Sequence, residues 1–119
     1  MAEQTKKAAA DEAAVVAKIA EFPKPHRAIG ERIHEIVLET VPDLKPKLFY
    51  GMPGYAKGGP VLVFFRVDDD VMSFGISEKA NIAVEDGAPD QLVESAWFVS
   101  GLDDATETRI AAIVRRAAG

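Results

Sequence analysis

The spacing of hydrophobic positions along the chain is first helical, then alternating, then helical again. From Asp11 to Phe22, the residues Ala14, Val15, Ala17, Ile19 and Phe22 recur on one face of a short amphipathic helix that Pro23 ends. Residues 1–10 are polar and alanine-rich and read as a frayed start to that helix. Pro23 and Pro25 make a stiff corner. Pro25 to Val41 then sets Ile29, Ile33, Ile36, Val37 and Thr40 on one face and Arg27, Glu31, Glu35 and Glu39 on the other, which predicts a second helix stopped by Pro42.

Two extended segments follow, bounded by Lys57-Gly58-Gly59-Pro60 and separated by Asp68-Asp69-Asp70, the signals of a β-hairpin. With all three aspartates in the loop, Val67 faces Val71, Phe65 faces Ser73 and Val63 faces Gly75. Leu62, Phe64, Met72, Phe74 and Ile76 then form a strongly apolar floor for the helices. Val63, Phe65, Val67 and Val71 share the opposite face with Ser73 and Gly75, a face too apolar to be simply wet. Ala88 to Ser95 reads as a short helix before an aromatic strand, Trp97-Phe98-Val99. Asp104, three residues before Glu107, opens the last helix in the manner of a capping box, with Ile110, Ile113, Val114 and Ala117 as its inner stripe. The order of elements predicts an α+β domain spanning 1–119, with a mostly antiparallel sheet of about four strands packed against N-terminal and C-terminal helices.

Composition narrows the function classes. The absence of cysteine excludes disulfides, thiolate catalysis and sulfur-bound zinc. The N-terminal stretch lacks the order of a secretion signal and the longest apolar run, Val61 to Phe65, is far too short to cross a membrane, so a cytoplasmic protein is expected. A formal charge of −5 argues against a nucleic-acid partner; Lys45, Lys47, Lys57 and Arg66 are the cations from which a local basic patch could be built.

The most distinctive stretch is Lys45-Pro46-Lys47-Leu48-Phe49-Tyr50-Gly51-Met52-Pro53-Gly54-Tyr55, where aromatic, basic and backbone-special residues stand in place of aliphatics. Its prolines and glycines predict an edge strand or bulged loop. Gly51 and Gly54 would admit a ligand or second backbone, and tyrosine rings supply area with a hydroxyl handle. Tyr50, Met52 and Tyr55, with Phe65 on the adjoining sheet face and Trp97 as a pocket wall, are the candidate ligand-binding residues. Their structural alternative is that Phe49, Met52 and Trp97 fill the core and the glycines turn the chain.

Glu31, Glu35 and Glu39 form a carboxylate row of the oxygen type that iron or calcium prefers, which makes Glu31 and Glu35 candidate metal ligands. Arg27 and Arg32 are placed to pair with the same row, as on an ordinary solvated face. His26 and His34 lie eight residues apart, roughly 12 Å along one helix, too far to share a metal. No nucleophile with an evident base stands out.

The element Tyr50-Gly51-Met52-Pro53, the hairpin ending Ser73-Phe74-Gly75 and the closing helix resemble the YdhG-like family of small bacterial proteins over about residues 26–116. That family is known mainly as a domain of unknown function, and some relatives are described as frataxin-like iron chaperones. The resemblance implies a compact α+β fold and iron delivery as one role. The chain departs from the family pattern at Trp97-Phe98-Val99-Ser100-Gly101 and at Asp69-Asp70. The expected function is non-catalytic binding of a small molecule or protein through the Tyr50–Tyr55 segment and the adjoining sheet face. Self-association through that face would make it a homodimer interface; an iron-binding carrier and an enzyme of unknown class are the alternatives.

Overall fold

The computed structural model describes residues 2–119, with side-chain surroundings from Lys6 onward. Among the described residues three helices and five strands follow in the order α1 (Ala2–Ala20), α2 (His26–Thr40), β1 (Lys45–Phe49), β2 (Met52–Ala56), β3 (Val61–Asp68), β4 (Val71–Ile76), β5 (Ala96–Phe98) and α3 (Asp104–Ala118). The fold is α+β, as the order of elements predicts. The sheet is an antiparallel meander in which each strand pairs with the next.

The strand beyond the expected four comes from the distinctive segment, which is a hairpin rather than a single bulged strand. Phe49 pairs with Met52, leaving Tyr50 and Gly51 as a two-residue loop with φ of 50° and 77°. Positive φ at both loop residues is the type I′ turn, whose twist matches that of the flanking strands. The β3–β4 hairpin repeats the device with Asp69 and Asp70, at φ 51° and 62°, because aspartate tolerates the left-handed region.

That second turn corrects the predicted pairing. Asp68 belongs to β3 and pairs with Val71, so the register moves by one residue: Phe65 faces Phe74, Val63 faces Ile76 and Phe64 faces Gly75. A one-residue move carries the β3 side chains from Val63 onward to the other set. Val63 and Phe65 therefore join Met72 and Phe74 as the floor under the helices, all four fully or almost fully buried. Phe64 is on the opposite face. Leu62 stays with the core because the β2–β3 ladder is irregular at Tyr55 and Ala56, where Ala56 pairs with Val61 and Tyr55 with Val63, leaving Leu62 as the extra residue.

Val15, Ile19 and Phe22 of α1 and its exit, Ile33, Ile36 and Val37 of α2, and Ile110 and Val114 of α3 complete one core with that floor. Phe22 meets Phe65 edge-on at 6.2 Å between ring centres, and Tyr55 stacks on Phe65 at 6.1 Å. The α1 backbone is helical from Ala2, so the alanine-rich start is part of the helix; Ala has the highest helix propensity, and Lys7 pairs with Asp11 one turn on at 3.3 Å.

The cap of α3 lies one residue earlier than predicted. Asp103 accepts hydrogen bonds from the Thr106 backbone N–H at 2.8 Å and from its hydroxyl at 2.6 Å, and those bonds hold its carboxyl below the usual range. No helix forms over Ala88–Ser95. Gly87 with φ 81°, Pro89 and an Asp90 side chain accepting from the Leu92 N–H at 2.9 Å keep that stretch irregular. Among the described residues, no helix is long and apolar enough to cross a membrane.

Candidate functional site

All helical core residues lie on one side of the sheet, and the other side presents Lys47, Phe49, Met52, Phe64, Arg66 and Phe98 by strand alternation and register. Two glycines shape that open face. Lys47 pairs with Gly54, Gly54 with Phe64 and Phe64 with Gly75, so the Phe64 ring has a glycine on either side. A Cβ on Gly75 would stand 3.1 Å from the Phe64 ring, and one on Gly54 would stand 2.9 Å from the Phe49 Cβ. The glycines let Phe49 and Phe64 settle onto the sheet with ring centres 5.1 Å apart. Gly54 is thus filled by the protein's own chain.

Tyr50 stands at the end of this aromatic pair. Its ring packs edge-on against Phe49 at 4.7 Å, and the residue is 89% exposed. A bulky aromatic at φ 50° occupies a turn position that asparagine, aspartate or glycine fills without steric conflict. Beside Phe49 and Phe64 a hollow of about 600 Å³ opens, walled by Ile82, Val84, Leu92 and Val93 of the segment 77–95. Leu92 is 83% exposed and Phe98, at the far edge of the sheet, 84%.

The five predicted ligand-binding residues fall into three places. Tyr50 and Met52 stand together at the open face. Tyr55 and Phe65 do not join them; both are wholly buried between the sheet and the helices, because the register places β3's odd positions inward. Tyr55 meets its burial with a hydrogen bond, its hydroxyl 2.7 Å from His34 Nδ1. Burial pushes the phenol well upward and the imidazole downward, so both stay neutral at neutral pH. With the hydroxyl donating to Nδ1, the ring proton sits on Nε2, 3.8 Å from Glu12.

Trp97 occupies the third place. It pairs with Phe74 on the inward face of β5 and walls a cleft of about 640 Å³ between α3 and the segment 77–95. The indole N–H donates to Glu94 at 2.7 Å, and the Arg109 guanidinium lies 5.9 Å from the indole centre.

The acidic helix face is taken up by an arginine. Arg32 reaches Glu107 of α3 at 2.9 Å, Glu35 at 3.5 Å and Glu39 at 3.8 Å, and the Glu107 hydrogen bond leads the effects that raise its pKa. Glu35 is thus an ion-pair partner, while Glu31 is exposed. Among the described residues no group of three or more His, Asp or Glu side chains is arranged to hold a metal ion. Asp70 instead bonds His26 Nε2 through its carboxylate at 3.1 Å, tying the hairpin turn to the start of α2.

Of the cations singled out in the sequence, Lys45, Lys47 and Arg66 share the open face, whereas Lys57 donates to the Ala118 carbonyl at 2.9 Å. Sequence reasoning missed Phe49 and Phe64 as surface residues and Arg109 and Glu94 altogether. The signals for the first two were the glycines two strands apart, legible only once the register is known. Comparisons of the chain with family models, curated proteins and solved structures find no match.

Proposed function

We propose that the protein is a non-catalytic binding domain that takes an apolar group of a small molecule or protein segment on its open sheet face, against Tyr50, Phe49, Met52 and Phe64. The observation that carries this reading is Tyr50. Backbone strain costs on the order of 1–3 kcal/mol per residue and concentrates at positions kept for function. Here an exposed aromatic side chain holds a left-handed turn position and packs on Phe49, which with Phe64 lines the hollow. Tyrosine presents large contact area with little rotamer freedom to lose, the character of an anchor residue.

The test separates folding from binding at one position. An NMR screen of isotope-labelled protein with aromatic and aliphatic fragments should shift the amides of Phe49–Met52 and Phe64 together. Tyr50→Asn should abolish those shifts while keeping or raising thermal stability, since asparagine suits the turn. Absence of shifts at the Phe49–Met52 and Phe64 amides, or shifts there that survive unchanged in Tyr50→Asn, would overturn the reading.

A further inference from the structure

We propose that the cleft between α3 and the segment 77–95 is a second ligand site, built for an organic anion with a flat apolar body. Its volume, about 640 Å³, is in the range of small-molecule pockets. Ile76, Val84 and Ile113 give it apolar walls, Arg109 and Arg116 stand at its ends, and Glu85, Asp90 and Glu94 line it from the segment 77–95.

At one end the indole N–H of Trp97 and the guanidinium of Arg109 converge on a single oxygen, Glu94 Oε2, at 2.7 and 3.4 Å. At the other, Arg116 holds Glu85 at 3.1 Å and donates to the Ala83 carbonyl. Arg109 and Arg116 are seven residues apart on α3, so the two donor groups share one helix face about 10 Å apart along the axis.

The two halves of this arrangement come from different parts of the fold. The donors belong to α3 and β5, packed against the core. The acceptors belong to the nineteen residues from Ser77 to Ser95, which have no helix or strand of their own. A connection of that length without regular structure is uncommon in a compact domain and is typically a binding loop or lid. Arg109 and Glu94 are both mostly exposed, so their ion pair contributes only about 0–1 kcal/mol. The Glu94 carboxylate therefore marks the place of a ligand's anionic group, which would take over both the Arg109 pair and the Trp97 N–H bond that Glu94 gives up. Arg109, already over the indole, would hold the anion while the apolar body lies along Trp97, Ile113 and Val84. The apolar walls favour an arylalkanoate over a bare inorganic anion.

Trp97 is the only tryptophan in the chain, so its fluorescence reports on the site directly. Titration of the full protein with 4-phenylbutyrate should give a saturable change in Trp97 emission that weakens as salt is added. Arg109→Met should weaken binding by about ten-fold, the worth of a charge-assisted hydrogen bond. Glu94→Gln, which removes the competing carboxylate, should tighten it several-fold, and the neutral 4-phenylbutanol should bind about ten-fold more weakly than the acid. Arg109 and Glu94 are surface residues, and circular dichroism checks that both variants fold. No saturable change, equal binding of the alcohol, or indifference to Arg109→Met would overturn the proposal. The cleft shares Ile76, Val84, Leu92 and Val93 with the hollow beside Phe49 and Phe64, but Tyr50 does not line it; Tyr50→Asn should leave the titration unchanged, so the outcome at Trp97 is read independently of the outcome at Tyr50.

Discussion

Tyr50 and Tyr55 stand five residues apart in one hairpin and do opposite work. Tyr50 sits in a turn with its hydroxyl in solvent, whereas Tyr55 is buried and needs a partner for its hydroxyl. His34 supplies it at 2.7 Å, and without that bond a buried polar atom on either side would go unpaired. Tyr55→Phe should therefore cost about 1–2 kcal/mol in urea unfolding, through the orphaned His34 nitrogen. Tyr50→Phe should change stability by less than about 0.5 kcal/mol, as surface changes do. Equal costs, or a larger one at Tyr50, would contradict this division. The sequence motif could not separate the two, because both are tyrosines beside glycine and only burial distinguishes them.

At the level of elements, most of the fold was legible and the register was not. Helical spacing places α2 and α3 within a residue or two, since apolar stripes and proline stops are local signals. Strand alternation in β3 and β4 also identifies the hairpin. Which faces match across it depends on the loop, and three aspartates do not say whether the turn takes two residues or three. The two-residue turn requires positive φ at Asp69 and Asp70, which aspartate permits without announcing. From that one residue follows the exchange of Val63 and Phe65 for Phe64 on the open face. The glycine rows are the element-level consequence, and they are testable. A Cβ on Gly75 would meet both the Phe64 ring and the Ser95 carbonyl at 3.1 Å, and that carbonyl already accepts the Ile76 N–H at 2.8 Å. The carbonyl cannot retreat without weakening its bond, so the ring must lift. Gly75→Ala should destabilise by about 1–3 kcal/mol, the usual cost of overpacking, and should shift the Phe64 ring resonances. Unchanged stability together with unchanged Phe64 resonances would mean the ring does not rest on Gly75.

Across the whole molecule, α1, α2 and the sheet meet at one titratable joint. His34 of α2 bonds Tyr55 of β2 through Nδ1 and faces Glu12 of α1 through Nε2, with Glu35 on its own helix also favouring the charged form. Burial outweighs both carboxylates and lowers the imidazole pKa from its ordinary 6.5. The unfolded chain therefore takes up a proton at a higher pH than the folded one. Between the two pKa values the unfolded state binds more protons, so stability rises with pH in that interval. The contribution is fully present above pH 6.5 and is lost as pH falls through the lower folded value. Protonation also turns Nδ1 from acceptor to donor, so the Tyr55 hydroxyl would have to find another acceptor in a buried site. Urea midpoints measured from about pH 7.5 down to 5.5, above the range where ordinary carboxylates titrate, should fall steadily in the wild type. His34→Gln keeps an acceptor for Tyr55 but cannot titrate, and its midpoints should fall less than the wild type's over the same range. A wild-type midpoint that falls no more than the His34→Gln midpoint on acidification would show that Glu12, not burial, governs His34.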